Sequence, residues 1–194
     1  MQRGLQLQYL SIGWMAVEVA GALFAAVLAS SFALLAFGAD SVVEIVSAIV
    51  VLRHLNLDSS GSSAQGEKTA LLTALLLASI VPVIGIGSTY AYFFLNIHPE
   101  ISYLGIGIAL GSVLIMSFLW REKKKIGQET GCLPLSIDAL ESATCFFMAL
   151  ALLAGLVAEY FFKQSWIDYA ATLAIVAFVA YEAKEALTES FRQL

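Results

Sequence analysis

Residues 36–52, AFGADSVVEIVSAIVVL, form an apolar stretch that nevertheless carries two acids, Asp40 and Glu44. A second apolar stretch, residues 133–157, reads LPLSIDALESATCFFMALALLAGLV and carries Asp138 and Glu141. Residues three or four positions apart lie on one face of a helix, so each pair of acids is predicted to share a face. Because a carboxylate at bilayer depth is costly, we expect both faces to turn toward a bundle interior or a water-filled path.

The composition around these stretches is typical of an integral membrane protein. Of the 194 residues, 60% are hydrophobic and 13% are charged, whereas soluble domains are about half apolar and a quarter charged. Residues 1–14, MQRGLQLQYLSIGW, lack a small-residue cleavage site, and the apolar run continues beyond signal-peptide length. We therefore interpret this segment as a first membrane span and not as a cleaved leader.

Six apolar stretches are long enough for a span of about 20 residues each. They cover residues 9–31, 32–55, 69–95, 101–120, 133–162 and 166–187. On a six-span path, Lys163 alone among the ten Lys and Arg residues falls on the outer side, so the positive-inside rule places both termini in the cytoplasm. We expect an all-α, multi-pass protein of the cell (inner) membrane. Residues 1–194 would form one six-helix transmembrane domain, with no soluble C-terminal domain.

Helix rise predicts that the acids of the second and fifth helices lie near the same depth. At 1.5 Å per residue, Asp40 lies about 13 Å and Glu44 about 19 Å from the outer edge. In the fifth helix, Glu141 lies about 12 Å and Cys145 about 18 Å above the inner edge. In a hydrocarbon core of about 30 Å, Glu44 is therefore predicted to lie beside Glu141, and Asp40 beside Cys145.

Two further acids lie close to this level, Glu18 in the first helix and Asp138 one turn nearer the cytoplasm. Carboxylate oxygens suit hard and borderline divalent cations, and a Cys thiolate adds affinity for softer ions such as Zn²⁺. The candidate metal ligands are therefore Asp40, Glu44, Glu141, Cys145, Asp138 and Glu18. Because clustered carboxylates in apolar surroundings hold protons when no metal is bound, metal binding is expected to release protons.

The acid-bearing helices resemble those of the cation diffusion facilitator family. That family's second helix commonly reads Leu-Leu-Ala-Asp-Gly-x-(His/Asp)-Ser-x-x-Asp, and residues 34–44, LLAFGADSVVE, follow the same frame. Its fifth helix often reads Asp-Ala-x-His-x-x-x-Asp, and residues 138–145, DALESATC, fill that frame with Glu and Cys in place of His and Asp. Residues 166–187, WIDYAATLAIVAFVAYEAKEAL, also look like the family's sixth helix.

The resemblance implies a secondary transporter that exports a divalent metal cation in exchange for protons. It makes Asp40 and Glu44 the metal ligands of the second helix. Phe37 stands where an Asp is common in the family, and the chain looks like the short bacterial branch without a soluble domain. Some members of that branch read Glu where Glu18 stands.

The expected cargo is zinc, with manganese, iron, cobalt and cadmium as alternatives, since a site of oxygens alone would admit Mn²⁺ or Fe²⁺. Metal ions and protons are the expected substrates, within a lipid bilayer. The resemblance also implies a homodimer. We expect no prosthetic group and no nucleic-acid partner.

Each candidate residue also has a structural interpretation. Asp40 and Glu44 could bond to neighbouring serines or backbone groups, and Asp138 could be hydrated near the membrane interface. Cys145 could be a small apolar filler. Glu18 could pair with a serine or relay protons.

Charges nearer the ends of the helices are expected to be structural. Residues 121–125, REKKK, are interpreted as a topology signal that contacts anionic lipids. The remaining acids of the fifth and sixth helices are expected to be solvated or capping: Glu159, Asp168, Glu182 and Glu185.

Three other functions are alternatives to transport. The sequence contains no nucleophile elbow, phosphate loop or Cys-x-x-Cys motif, so an enzyme has little support. A membrane regulator or partner subunit that keeps the fold without transporting is one alternative, and a passive channel is another. Metal binding and proton-coupled flux would separate these two from a transporter.

Overall fold

Six long helices make up this computed structural model, which describes residues 2–56, 63–95, 97–130 and 133–193. Each helix contains a segment long and apolar enough to cross a membrane, and the described residues include no β-strand. The expected all-α fold of six transmembrane helices is therefore confirmed. The helices are α1 (Gln2–Ala29), α2 (Phe32–Asn56), α3 (Ser63–Tyr90, continued by a π-helical turn at Ala91–Leu95), α4 (Tyr103–Thr130), α5 (Leu133–Phe162) and α6 (Trp166–Gln193).

Four helices are longer than their apolar stretches, and among them α6 continues to Gln193, six residues beyond its apolar stretch. α4 continues through residues 121–125 to Thr130, although the apolar pattern predicted an end near Trp120. α1 and α3 likewise begin several residues earlier than predicted. Lys, Glu and Gln are good helix formers, so hydropathy marks the part of a helix that suits lipid and not where the helix ends.

α2 is the central helix of the bundle. It packs on α1, α3, α5 and α6, while α4 packs on α1 and α5. We call α1, α2, α4 and α5 the inner bundle, and α3 pairs with α6 along its flank. Small residues allow close approach within it: a Cβ at Gly38 of α2 would lie 2.9 Å from Leu23 Cδ2 of α1. Such small residues are the usual means of tight helix packing in membranes.

Asp168, in the first turn of α6, caps the N-terminus of α2. Its carboxylate accepts hydrogen bonds from Phe32 N at 3.0 Å, from Ala33 N at 3.4 Å and from Ser31 Oγ. Ser31 Oγ in turn accepts a hydrogen bond from Leu34 N at 3.1 Å. The first N–H groups of a helix lack partners within the helix, and an acid placed there is stabilising. Asp168 is therefore a capping residue, but for a neighbouring helix and not for its own.

Replacing Asp168 by Ala should lower the thermal unfolding midpoint of the detergent-solubilised protein. The change leaves two N–H groups and the Ser31 hydroxyl without their acceptor, which should cost about 2 kcal/mol. Glu100→Ala, at an exposed position of the α3–α4 connection, is the control. Equal midpoints for the two variants would contradict the capping role.

Candidate metal centre

Glu18 accepts hydrogen bonds from every helix of the inner bundle. Its Oε2 accepts from Trp14 Nε1 of α1 at 2.9 Å and from Ser112 Oγ of α4. Its Oε1 accepts from Ser41 Oγ of α2 at 2.6 Å and from Cys145 Sγ of α5 at 3.6 Å. The side chain is fully buried. Hydrogen bonds to a carboxylate are strong and directional, so these donors fix both the position and the orientation of Glu18.

The local sequence of two helices supports this network. Trp14 precedes Glu18 by one helical turn, which puts both side chains on one face of α1. On α4, Gly111 makes room for the indole ring, because a Cβ at that position would lie 2.6 Å from Trp14 Cη2. The next residue, Ser112, donates to the same carboxylate oxygen as Trp14. The Gly-Ser pair of α4 thus admits the ring and supplies a donor.

Glu44 and Cys145 complete a buried cluster of potential metal ligands around Glu18. One ligand atom from each of the three side chains lies within 4.8 Å of the other two. Ligands held about 2.0–2.3 Å from a tetrahedral Zn²⁺ lie about 3.3–3.8 Å from one another. Modest side-chain rotations would therefore bring these three atoms to binding distance.

Asp40 and Glu44 have carboxylate groups that are buried without partners. Neither oxygen of either residue has a hydrogen-bond partner among the described residues. Asp40 lies one turn before Glu44 on α2, and it is within electrostatic range of Glu18. An uncompensated carboxylate in apolar surroundings is costly, and a cation or bound protons would remove that cost.

Glu141 and Asp138 lie on α5, nearer its N-terminus than Cys145, and each contacts a side chain outside the Glu18–Glu44–Cys145 cluster. Ser47 Oγ of α2 lies 2.8 and 2.9 Å from the two carboxylate oxygens of Glu141. Asp138 Oδ2 lies 2.7 Å from Lys123 Nζ in a buried ion pair. The positive charge next to Asp138 is therefore the Lys123 ammonium.

The pairing of α2 with α5 differs from the depth estimate by about one helical turn. Glu44, and not Asp40, lies near Cys145, and Ser47, and not Glu44, lies against Glu141. The estimate assumed helices parallel to the bilayer normal that start at the same level. Transmembrane helices are tilted on average by about 20°, and tilt or offset of this kind changes which residues meet.

The interpretation of residues 121–125 as a lipid-contacting signal is wrong for Lys123, which is fully buried. A sequence signal for this burial exists, because the buried face of α4 repeats at steps of four and three residues. Extending this pattern beyond Trp120 would have identified Lys123. The face consists of Gly105, Ala109, Ser112, Met116, Leu119, Lys123 and Gly127.

Glu182 of α6 was expected at a solvated helix end. In the structure it is half-buried and lies within electrostatic range of Asp40, Glu44 and Glu141. α6 therefore adds negative charge to the cluster from outside the inner bundle. No spacing in the sequence relates α6 to α2, so only the packing of the two helices reveals this proximity.

One family model matches nearly the whole chain. Residues 9–194 match the family model of the cation efflux transmembrane domain, a range that includes every residue of the cluster. No curated protein sequence matches the chain.

Substituting Gly111 by Ala should destabilise the protein by about 1–3 kcal/mol, because the added Cβ overlaps the Trp14 ring. Gly107→Ala is the matched control on the same helix, since a Cβ there meets no atom within 4 Å. The measurements are the thermal unfolding midpoint and the tryptophan emission maximum. If both variants unfold at the same temperature with the same emission, the Trp14–Gly111 contact does not support the Glu18 network.

Proposed function

Because the chain belongs to the cation efflux transmembrane family, we propose that it exports a divalent cation, preferably zinc, in exchange for protons. Members of this family are metal cation transporters and not enzymes. The protein is accordingly a multi-pass membrane protein with a metal cation as its substrate. Residence in the cell (inner) membrane and a homodimeric state belong to the proposal.

One observation carries the assignment of the site, the burial of four unpartnered carboxylate oxygens on Asp40 and Glu44. The carboxylate of Glu44 lies beside Glu18 and Cys145, and Asp40, one turn away on α2, is within electrostatic range of both. A divalent cation would therefore find oxygen and sulfur ligands from three helices of the inner bundle. We assign Glu44, Cys145 and Glu18 as the ligands nearest the ion, with Asp40 as the further carboxylate. Binding would offset the charge that the bundle otherwise buries at a cost.

The preference for zinc rests on Cys145. Thiolate sulfur selects Zn²⁺ or Cd²⁺ over Mn²⁺, whereas an all-oxygen site suits the harder ions. Glu141, one turn below Cys145, and Asp138 below it complete the set of candidate ligands. Glu141 would receive the ion on its way between the cluster and the cytoplasmic end, and Asp138 could do so only after release from Lys123.

Exchange for protons follows from the same burial. When the ion leaves, the carboxylates of Asp40 and Glu44 have no hydrogen-bond partner among the described residues, and protons are the available replacement. Metal binding would expel these protons, so cation and protons occupy the cluster alternately. Rocking of α2 and α5 against the other helices would expose the cluster to each side in turn.

Purified protein in liposomes should move Zn²⁺ with an opposing proton flux, and Asp40→Asn or Glu44→Gln should lower the zinc flux by about tenfold or more. Both substitutions keep side-chain size and remove a ligand charge. Glu129→Gln, at an exposed position of α4, is the control. Zinc flux is read with an internal metal-sensitive dye and proton flux with an internal pH dye.

The outcome also separates the alternatives. Flux that persists unchanged in both variants would contradict the site. Zinc flux without proton flux would favour a passive channel. Absence of both flux and calorimetric zinc binding in the unmodified protein would favour a membrane regulator.

Replacing Cys145 by Ser should lower the zinc affinity by about tenfold and leave Mn²⁺ affinity little changed, because only the softer ion gains from sulfur. The comparison is calorimetric titration with both ions. Cys132→Ser, at the other cysteine of the chain, serves as the control. An unchanged ratio of zinc to manganese affinity would exclude Cys145 as a ligand.

A further inference from the structure

A second buried set of polar side chains, centred on Lys123, lies in the inner bundle. The first set is Glu18, Asp40, Glu44 and Cys145, which we call the metal cluster. The ammonium Nζ lies 2.7 Å from Asp138 Oδ2, and it donates to Ser11 Oγ at 2.9 Å and to Ser142 Oγ at 3.0 Å. The ammonium is thus held by one ion-pair contact and two hydrogen bonds, all to buried side chains. We call Lys123, Asp138, Ser11 and Ser142 the lysine layer. It joins α1, α4 and α5.

The lysine layer lies nearer the end that carries both termini than the metal cluster does, and two of its three helices, α1 and α5, also carry ligands of that cluster. Ser11 precedes Glu18 by seven residues on α1, and Asp138 precedes Cys145 by seven on α5. Seven residues are two helical turns, or about 10 Å. On α4, Lys123 follows Ser112 and lies toward the same end of the bundle. This is the end that carries both termini, which the positive-inside rule assigns to the cytoplasm.

The fourth side of the inner bundle is closed at the same end. Gln8, one turn below Ser11 on α1, donates from Nε2 to the carbonyl oxygen of Ala48 on α2 at 3.3 Å. Gln8 is fully buried, so α1 and α2 are joined by a polar contact below the metal cluster. A cation that enters from this end must separate these contacts and pass a fixed positive charge.

We propose that the Lys123–Asp138 ion pair is the gate that closes the cytoplasmic route to the metal cluster, a proposal that rests on the transport function above. The ammonium holds α4 to α5 and repels cations while it remains there. Opening the route requires Lys123 to leave Asp138. Glu141 lies between the two layers and within electrostatic range of Lys123, so it is the next carboxylate available to the displaced ammonium.

Stability alone does not explain the charges of this pair. A buried ion pair is often no more stabilising than apolar residues of the same volume, because both charges lose their hydration. Removing only one partner leaves a buried unpaired charge, which favours separation of the helices and entry of water. Such a pair suits a contact that must be firm when closed and separable when the bundle opens.

The gate can be tested through the accessibility of Cys145, which is buried in the metal cluster. In a Cys132→Ser background, Cys145 is the single thiol and reacts with a membrane-impermeant cationic methanethiosulfonate only where the route is open. Lys123→Met should raise the labelling rate from the cytoplasmic side by about tenfold, in proportion to the open population. Labelling from the outer side should stay unchanged. Inside-out and right-side-out vesicles give the two sides separately.

Three further variants control the experiment. Lys124→Met, the exposed neighbour on α4, should label at the unmodified rate. Lys123→Arg keeps a cation and should stay closed. The exchange of charges, Lys123→Asp with Asp138→Lys, should restore slow labelling, and it decides the question if Lys123→Met does not fold.

Three results would overturn the gate. The first is slow cytoplasmic labelling of a folded Lys123→Met protein, and the second is fast labelling of a folded charge exchange. The third is an equal increase from both sides, which indicates general loosening of the bundle. The labelling does not depend on flux: if the unmodified protein transports nothing, the transport function fails while the accessibility result still stands.

Discussion

The arrangement of the four inner helices against one another depends on one carboxylate, that of Glu18. Each of the four inner helices contributes one donor to it, from Trp14, Ser41, Ser112 and Cys145. Lipid tails are as apolar as leucine, so apolar contacts alone give little reason for one helix arrangement over another in a membrane. Directional hydrogen bonds to a single buried charge supply that reason. The contact that sets the helix arrangement is therefore also the centre of the metal cluster.

The acids of this cluster divide into two kinds. Glu18 is saturated with donors, whereas Asp40 and Glu44 have none among the described residues. The donors hold Glu18 in place, and it would gain capacity for the ion when Cys145, deprotonated on metal binding, no longer donates to it. Asp40 and Glu44 keep their oxygens available to a cation or to protons throughout. This division explains how a membrane bundle can be held together by polar contacts and still present free ligands at its centre.

The polar contacts between helices differ in chemistry at the two ends of the molecule. At the outer end, Asp168 and Ser31 join the start of α6 to the start of α2 through backbone N–H groups. At the other end, a lysine is paired with an acid below the cluster. A helix cap binds backbone N–H groups, which cannot move independently of their helix. An ion pair joins two side chains, and these can rotate to other partners. The asymmetry supports opening by the lysine layer at the cytoplasmic end.

Local periodicity was sufficient for much of the fold. The amino-acid pattern alone predicts that six helices cross the membrane, and that Asp40 with Glu44, and Asp138 with Glu141, share helix faces. These properties depend only on hydropathy and on the helical repeat, which are local. The burial of Lys123 could also have been predicted, because the buried face of α4 continues past the end of its apolar stretch.

Which side chains meet depends on the packing of the helices, and no pattern within one helix specifies it. The packing brought Glu44 to Cys145 and Ser47 to Glu141, assigned Asp138 to Lys123, placed the Asp168 cap on a neighbouring helix, and put Glu182 near the acids of α2. Each of these contacts depends on the tilt, offset and rotation of one helix against another. A shift of one turn replaces every partner across an interface and leaves the pattern within each helix unchanged. The helical repeat contains no information about that shift, so it is set by packing between the helices.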